Sequence, residues 1–309
     1  MKEKCILSID AGGTSFKYNI LDFESLDPLE EEVFIPLPGD NCKDKMLSLF
    51  RDIFVDAINK SKRINREISN VAFSVPGPFD CRLGISHMSH KWPSLKEVPL
   101  VSEFLNFGLF SNEIPYSFVH DVHAFLLGEK VFGKAKAKNR VAAVVIGTGV
   151  GFGMWDGEGF IVDETGHPKC GIYKYPYMDG ILEDYVSGRA LSYSYNQKTN
   201  INVSAKELAD LARRGDDIAK TCFCELGMNL GNVLADILIE YNMEALIVGG
   251  RISLAFDLFS DSLEKQLRSK KCDTIVYQPE LLESAAIRGA AAWAKGNTNN
   301  ARKKVYEIF

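Results

Sequence analysis

The chain has 309 residues, 46% of them hydrophobic, and a formal net charge of −5. That is enough apolar material for a sizeable core in one large domain or two smaller ones, and the acidic balance without a basic block leaves no nucleic-acid footprint. The seven cysteines are scattered, and the one close pair, Cys222 and Cys224, suits neither a disulfide framework nor a zinc knuckle. This usage fits a reducing, cytoplasmic setting. The N-terminal "MKEKCILSID" carries no signal-peptide pattern, and no apolar run reaches membrane-spanning length.

In chain order, "CILSIDAGGTSFKYNILD" reads as a strand, a glycine turn and a second strand, because the apolar run Ile6–Ile9 meets Asp10 and Gly12-Gly13 before alternation resumes at Phe16, Tyr18 and Ile20. "KMLSLFRDIFVDAINK" places Met46, Leu49, Phe50, Ile53, Phe54, Ala57 and Ile58 at helical spacing. "NVAFSVPGPFD" is a buried strand stopped by Pro76-Gly77-Pro78. "YSFVHD" is another strand, running directly into the helical "VHAFLLGEKVFG". Strands alternating with helices argue for an α/β architecture.

"RVAAVVIGTGVGFGMWDGEGF" repeats the opening pattern of strand, Gly-Thr turn and resumed strand, and so suggests an internal duplication. From about residue 205 the chain turns helical, with "SAKELADLARRG" and "DDIAKTCFCELGMNLGNVLADILIEYN". "ALIVGGRIS" is a buried strand ending in paired glycines, with a helix after it. "DTIVYQP" is a last strand, "ESAAIRGAAAWAKG" an Ala-rich helix, and "NTNNARKKVYEIF" a polar, peripheral tail.

The glycine turns are neither a dinucleotide fingerprint nor a P-loop: the spacing is wrong, no helix follows, and no Gly-Lys-Ser/Thr occurs. A glycine turn between strands can still aim backbone N–H groups at an anion, or serve as a plain hairpin. Asp10, just before the first turn, is placed to hold Mg²⁺ through water or to cap the turn. "FVHDVHAFLLGE" sets Asp121 between His120 and His123, which leaves a metal site, a catalytic base and a helix cap all open.

The motifs "DAGGTS", "PGPFD", "HDVHAFLLGE", "VIGTGVGFG", "DETGH", "ILEDYVSGRAL" and "IVGGRIS" occur in an order that resembles the ROK family of sugar kinases and sugar-responsive repressors, from about residue 5 to about 294. The resemblance implies the actin-like ATPase (ribonuclease H-like) fold, two related lobes around a cleft. It implies an N-terminal lobe over 1–120, with the last helix of about 283–309 packing back on it, and a C-terminal lobe over 121–282. The family's catalytic aspartate falls on Asp121, and its first phosphate turn on Asp10, Gly12, Gly13 and Thr14. Its second phosphate turn falls on Gly147, Thr148 and Gly149, and its adenosine turn on Gly249 and Gly250. Sugar contacts fall on Glu164, His167 and Glu183.

Three departures stand out. The family usually has Asn where this chain has His120 and His123. Glucokinase-like members often meet the sugar with an Asn where this chain has Lys91, beside His90 and Trp92, so Lys91 and His120 join the substrate-binding candidates. The family's zinc cluster pairs the His167 position with three cysteines, but those positions here hold Lys174, Pro176 and Ile181, so no zinc site is expected.

The implied activity is an ATP- and Mg²⁺-dependent transfer of a γ-phosphoryl group to a hexose hydroxyl, most plainly the 6-OH, with N-acetylhexosamine kinase or a non-catalytic sugar sensor as alternatives. The partners expected are a small sugar and a second copy of the chain, with neither nucleic acid nor membrane. A repressor would carry a helix-turn-helix ahead of the first phosphate turn, and Asp10 leaves no room for one.

Overall fold

The computed structural model describes residues 2–37, 42–163 and 166–298. Glu164 and the tail from residue 299 lie outside the described residues. The elements in chain order are β1 (Glu3–Ala11), β2 (Ser15–Asp22), β3 (Val33–Pro36), α1 (Lys43–Arg63), β4 (Arg66–Val75), β5 (Phe79–Asp80), β6 (Ile85–Ser86), α2 (Leu100–Asn106), β7 (Tyr116–His120) and α3 (Asp121–Phe132). Then come β8 (Val141–Ile146), β9 (Val150–Trp155), β10 (Pro176–Tyr177), β11 (Gly180–Ile181), α4 (Gly188–Thr199), α5 (Ala205–Arg213), α6 (Asp217–Glu240), β12 (Ala245–Gly249), α7 (Phe256–Ser269), β13 (Ile275–Tyr277) and α8 (Ala285–Thr298).

The chain divides into two compact units. The first takes in the described residues of Met1–Val131, Val162–His167 and Ser284–Phe309. Its sheet runs β3-β2-β1-β4-β7. β1 pairs antiparallel with β2 and parallel with β4, and β4 pairs parallel with β7. The helical spacing of α1 buries Met46, Phe50, Ile53, Phe54 and Ala57 in a core that also holds Phe16, Phe73, Trp92, Phe104 and Phe118. Phe73 stacks on Phe118 with ring centroids 4.9 Å apart. Such pairs add about 0.5–1.5 kcal/mol beyond the area they bury. α8 lies against β4, β1 and β7. Ser8 Oγ donates to the Ile287 carbonyl at 2.7 Å, so the core strand and this helix are tied by a buried hydrogen bond.

The second unit takes in Phe132–Ile161 and Pro168–Glu283. Its sheet runs β13-β12-β8-β9, with β8 antiparallel to β9 and β12 parallel to both β8 and β13. Each unit therefore contains an antiparallel hairpin closed by a glycine turn and extended by two parallel strands, the duplication expected from the sequence. β8 and β12 read as near-continuous apolar runs, as parallel strands covered on both faces do. Against the expectation that no apolar run reaches membrane-spanning length, α6 is long and apolar enough to cross a membrane by length and composition. Here it is a core helix: Phe223, Leu226, Leu230, Leu234 and Leu238 are buried, and it packs against α7, α4 and α5.

Two helices were not legible as such. α2 is a short helix of seven residues. α4 starts at Gly188, well before the helical region expected from about 205, because Ser187 caps it by accepting the Ala190 N–H at 3.1 Å. The helix after β12 also starts late: a single 3₁₀ stretch over Arg251–Ala255 intervenes before α7.

Candidate active site

In the first unit, β1 and β2 are joined by the turn Gly12–Thr14. The Gly12 N–H donates to the Ser15 carbonyl at 3.0 Å, and the Thr14 carbonyl accepts from the Leu37 N–H at 2.9 Å. Asp10 pairs with Ser74 across the parallel β1/β4 register, and Ser74 Oγ donates to Asp10 Oδ1 at 2.7 Å. Burial pushes the Asp10 carboxyl up to about 6; the nearby Asp121 adds to that rise, while the Ser74 hydrogen bond and Lys17 oppose it.

β7 ends at His120 and α3 begins at Asp121, so the strand delivers this carboxylate to a helix N-terminus. Its Oδ1 accepts the Val122 N–H at 2.8 Å. The residue is exposed by surface area, yet it titrates as a crowded group. Burial raises its carboxyl above the usual aspartate range, against the pull of Lys91 and of the Val122 amide. The groups that feel its charge include Asp10 and the part-buried Cys81 thiol.

Lys91 is half-buried. A Cβ added at Gly13 would stand 3.1 Å from Cγ and Cδ of Lys91, so the lysine stem lies close across the turn. The neighbouring Trp92 is buried, and its Nε1 donates to the Gly12 carbonyl at 3.1 Å.

The histidines come together as rings. His120 lies 5.0 Å from His167 and 6.1 Å from His123, centroid to centroid. Burial, helped by His167, pushes His120 down to about 3, and burial holds His123 well below the ordinary imidazole range. Both are neutral at pH 7. Nε2 of His120 is buried without a hydrogen-bond partner among the described residues. Among the described residues no group of three His, Cys, Asp or Glu side chains has the arrangement of a metal site. A neutral imidazole offers one donor and one acceptor, which suits a hydroxyl. His167 holds its own loop, its N–H donating to Asp163 Oδ1 at 3.0 Å. Glu164, next to it in the motif, lies outside the described residues.

In the second unit, β8 and β9 are joined by Gly147–Gly149. The Gly147 N–H donates to the Gly149 carbonyl at 2.9 Å, and the Gly147 carbonyl accepts from the Gly188 N–H at 2.9 Å. Glu183 braces this turn: Oε2 accepts the Val150 N–H at 3.0 Å and Oε1 accepts from Arg189 Nη2 at 3.0 Å. Arg189 Nε in turn donates to the Thr148 carbonyl at 3.2 Å. Arg189 went unread in the sequence; the signal was its position six residues after Glu183, in "EDYVSGR". A carboxylate has about four acceptor positions, so Glu183 keeps capacity for a hydroxyl beyond these two bonds. Gly249 ends β12, and Gly250 sits at φ +81° with its Cα against the Ile146 carbonyl, where a side chain would collide.

Two metals follow from the ROK resemblance. For Mg²⁺ the residues fit: Asp10 is a hard oxygen donor at the strand end, half-buried beside a second carboxylate, as this ion prefers. For zinc they do not. Lys174, Pro176 and Ile181 stand where thiolates would be needed. That loop is instead held by packing and hydrogen bonds. Pro176 and Ile181 pair in the β10–β11 hairpin, and Tyr177 sits edge-on to Tyr185 at 5.4 Å. Tyr177 Oη donates to Asn229 Oδ1 at 3.0 Å and accepts from Asn232 Nδ2 at 3.2 Å.

A sequence profile described as the ROK family matches residues 6–297. The glucokinase of Thermotoga maritima is 25% identical over 94% of this chain and 97% of its own length. The transcriptional repressor Mlc of Escherichia coli is 26% identical over 79% of this chain but only 64% of its own length. The crystal structure of a ROK glucokinase from Streptomyces griseus with glucose and AMPPNP superposes with a TM-score of 0.77 at 22% identity, covering 94% of this chain and 99% of that one. The fold is therefore the actin-like ATPase fold, with α and β elements mixed in both units. With a profile match over nearly its whole length and the motif order intact, the chain belongs to the ROK family.

Proposed function

We propose that this protein is an ATP-dependent hexose kinase, transferring the γ-phosphoryl group of MgATP to a sugar hydroxyl, the 6-OH of a hexose, in the cytoplasm and as a homodimer. The observation that carries the reading is Asp121, a carboxylate at the head of α3 that feels Lys91 and whose own charge acts on Asp10, which precedes the first glycine turn. A carboxylate raised by crowding is a better proton acceptor than an ordinary aspartate. The likeness to proteins named glucokinase, one of them bound to glucose and AMPPNP, favours glucose and ATP as first choices.

Phosphoryl transfer demands little covalent work from a protein. Positioning and charge stabilisation lower most of the barrier. Amides of Gly12, Gly13 and Thr14, and of Gly147, Thr148 and Gly149, hold phosphate oxygens. Gly249 and Gly250 let the adenosine approach the backbone. Asp10 would hold Mg²⁺ through water, and the ion supplies charge neutralisation at the phosphates. Asp121 orients the acceptor hydroxyl and takes its proton. Nε2 of His120 and the His167 ring are candidates for the ring hydroxyls in the first unit; Glu164 and Glu183 are candidates by the family resemblance, and Lys91 is a further substrate-side candidate.

The test is ADP release by the purified protein with a panel of hexoses and N-acylhexosamines. Release stimulated by one or a few hexoses supports the reading. Stimulation only by an N-acetylhexosamine moves the substrate class, and no stimulation by any sugar defeats the kinase reading.

A further inference from the structure

We propose that Lys91 is a catalytic cation of the phosphoryl-transfer site, its ammonium donating to the non-bridging oxygens of the group in transit. This rests on the kinase reading above and names a further catalytic residue for it.

Three observations place Lys91 there. Its stem lies across Gly13, inside the first phosphate turn. Its chain neighbour Trp92 is buried and fastened to the carbonyl of Gly12, so the backbone that carries the lysine is fixed to that turn. Its charge reaches Asp121, which in turn is felt by Asp10. The ammonium thus belongs to a group of four: the turn, the base, the magnesium-side carboxylate and the lysine itself.

Among the described residues the Lys91 ammonium makes no hydrogen bond or ion pair, and it is the one cation whose charge acts on Asp121. A lysine kept only to touch a neutral hydroxyl gains little from its charge, and an amide would serve as well. Next to a group carrying negative charge in transit, the charge itself is what matters. The ammonium also has three donors and can follow the oxygens as they flatten.

The step balances as follows. The bond from the γ-phosphorus to the bridging oxygen of ATP breaks with its electron pair on ADP. A bond forms from the acceptor oxygen to phosphorus, and the acceptor proton passes to the Asp121 carboxylate. Lys91 keeps its proton throughout.

The experiment uses the full chain with MgADP and aluminium fluoride, a mimic of the phosphoryl group in transit, measured by titration calorimetry beside MgADP alone. In Lys91→Met, MgADP alone binds as in the wild type, the mimic binds about 10²- to 10³-fold more weakly, and kcat falls to match. Lys91→Arg keeps the mimic within about tenfold of wild type. Where Lys91→Met fails to fold, Lys91→Gln, which keeps polarity and drops the charge, carries the same expectation. Equal binding of the mimic by the wild type and by a folded, uncharged variant overturns the proposal, whatever the sugar assay gives. A wild type that binds the mimic in a Lys91-dependent way but phosphorylates no sugar defeats the kinase reading and leaves the Lys91 contact standing. A wild type that binds no nucleotide overturns both.

Discussion

Asp10 is strained electrostatically, and removing its charge should stabilise the protein while abolishing its activity. The carboxyl is moved from 3.8 up to about 6 in the fold, chiefly by burial. The folded chain therefore holds that proton more tightly than the unfolded chain. Its contribution to stability is fully present below about 3.8 and is lost as pH rises through about 6. Each pKa unit corresponds to 1.36 kcal/mol, so a fully buried group would cost about 3 kcal/mol at pH 8. Asp10 is half-buried, and solvent screening reduces this to about 1–2 kcal/mol. Asp10→Asn keeps the shape and an oxygen that still accepts from Ser74 Oγ. Thermal unfolding in EDTA should show the variant melting about 1.5–3 °C above wild type at pH 8, with the gap closing at pH 4. With Mg²⁺ and ATP the order should reverse, because only the wild type gains from the ion. A variant that melts at or below the wild-type temperature at pH 8 would refute the electrostatic reasoning.

Further expectations follow from the same geometry. Asp121→Asn should lower turnover about 10²- to 10⁴-fold with sugar affinity little changed, and the wild-type rate should fall on acidification at a pH above the ordinary aspartate range, since burial raises this carboxyl; near-normal turnover in a folded variant removes it as the base. Glu183→Ala leaves the buried Val150 N–H without its acceptor and releases Arg189, so AMPPNP and sugar should each bind more weakly by about 1–3 kcal/mol, and calorimetry showing neither shift would take Glu183 out of the site. Protein purified without a histidine tag should carry no stoichiometric zinc by elemental analysis, and Tyr177→Phe should cost about 1 kcal/mol through its bonds to Asn229 and Asn232; one zinc per chain, with stability lost on chelation, would mean the loop has been misread.

Much of the fold was legible because it is written locally. The helical spacing from Met46 to Ile58 and the apolar run Val141–Ile146 each determine their element without distant help. The repeated strand, glycine turn and strand pattern showed the duplication, and both units carry it. α4 was missed because its signal is a cap, Ser187, at the end of a loop whose tyrosines obscure the periodicity. Asp121 at a strand-to-helix junction could be read from six residues. The surroundings of the site could not. Lys91 comes to lie across the Gly12–Thr14 turn through the fold, where its neighbour Trp92 bonds to Gly12, 80 positions away in the sequence. His167 joins His120 only through the fold; the imidazoles of "HDVH" are buried and held neutral, and among the described residues no group of three His, Cys, Asp or Glu side chains could hold a metal ion. Glu183 and Arg189 show the same limit, since a clamp on the Gly147–Gly149 turn requires knowing which loop meets it.

The central claim is that the γ-phosphoryl group moves from ATP to a sugar oxygen under the control of Asp121. The direct measurement follows radiolabelled γ-phosphate from ATP into products, with glucose first and the wider hexose panel after it. The account predicts label on the hexose, at the 6-oxygen, dependent on Mg²⁺ and lost about 10²- to 10⁴-fold in Asp121→Asn. Label appearing only as inorganic phosphate, or on the sugar equally in both proteins, would contradict it.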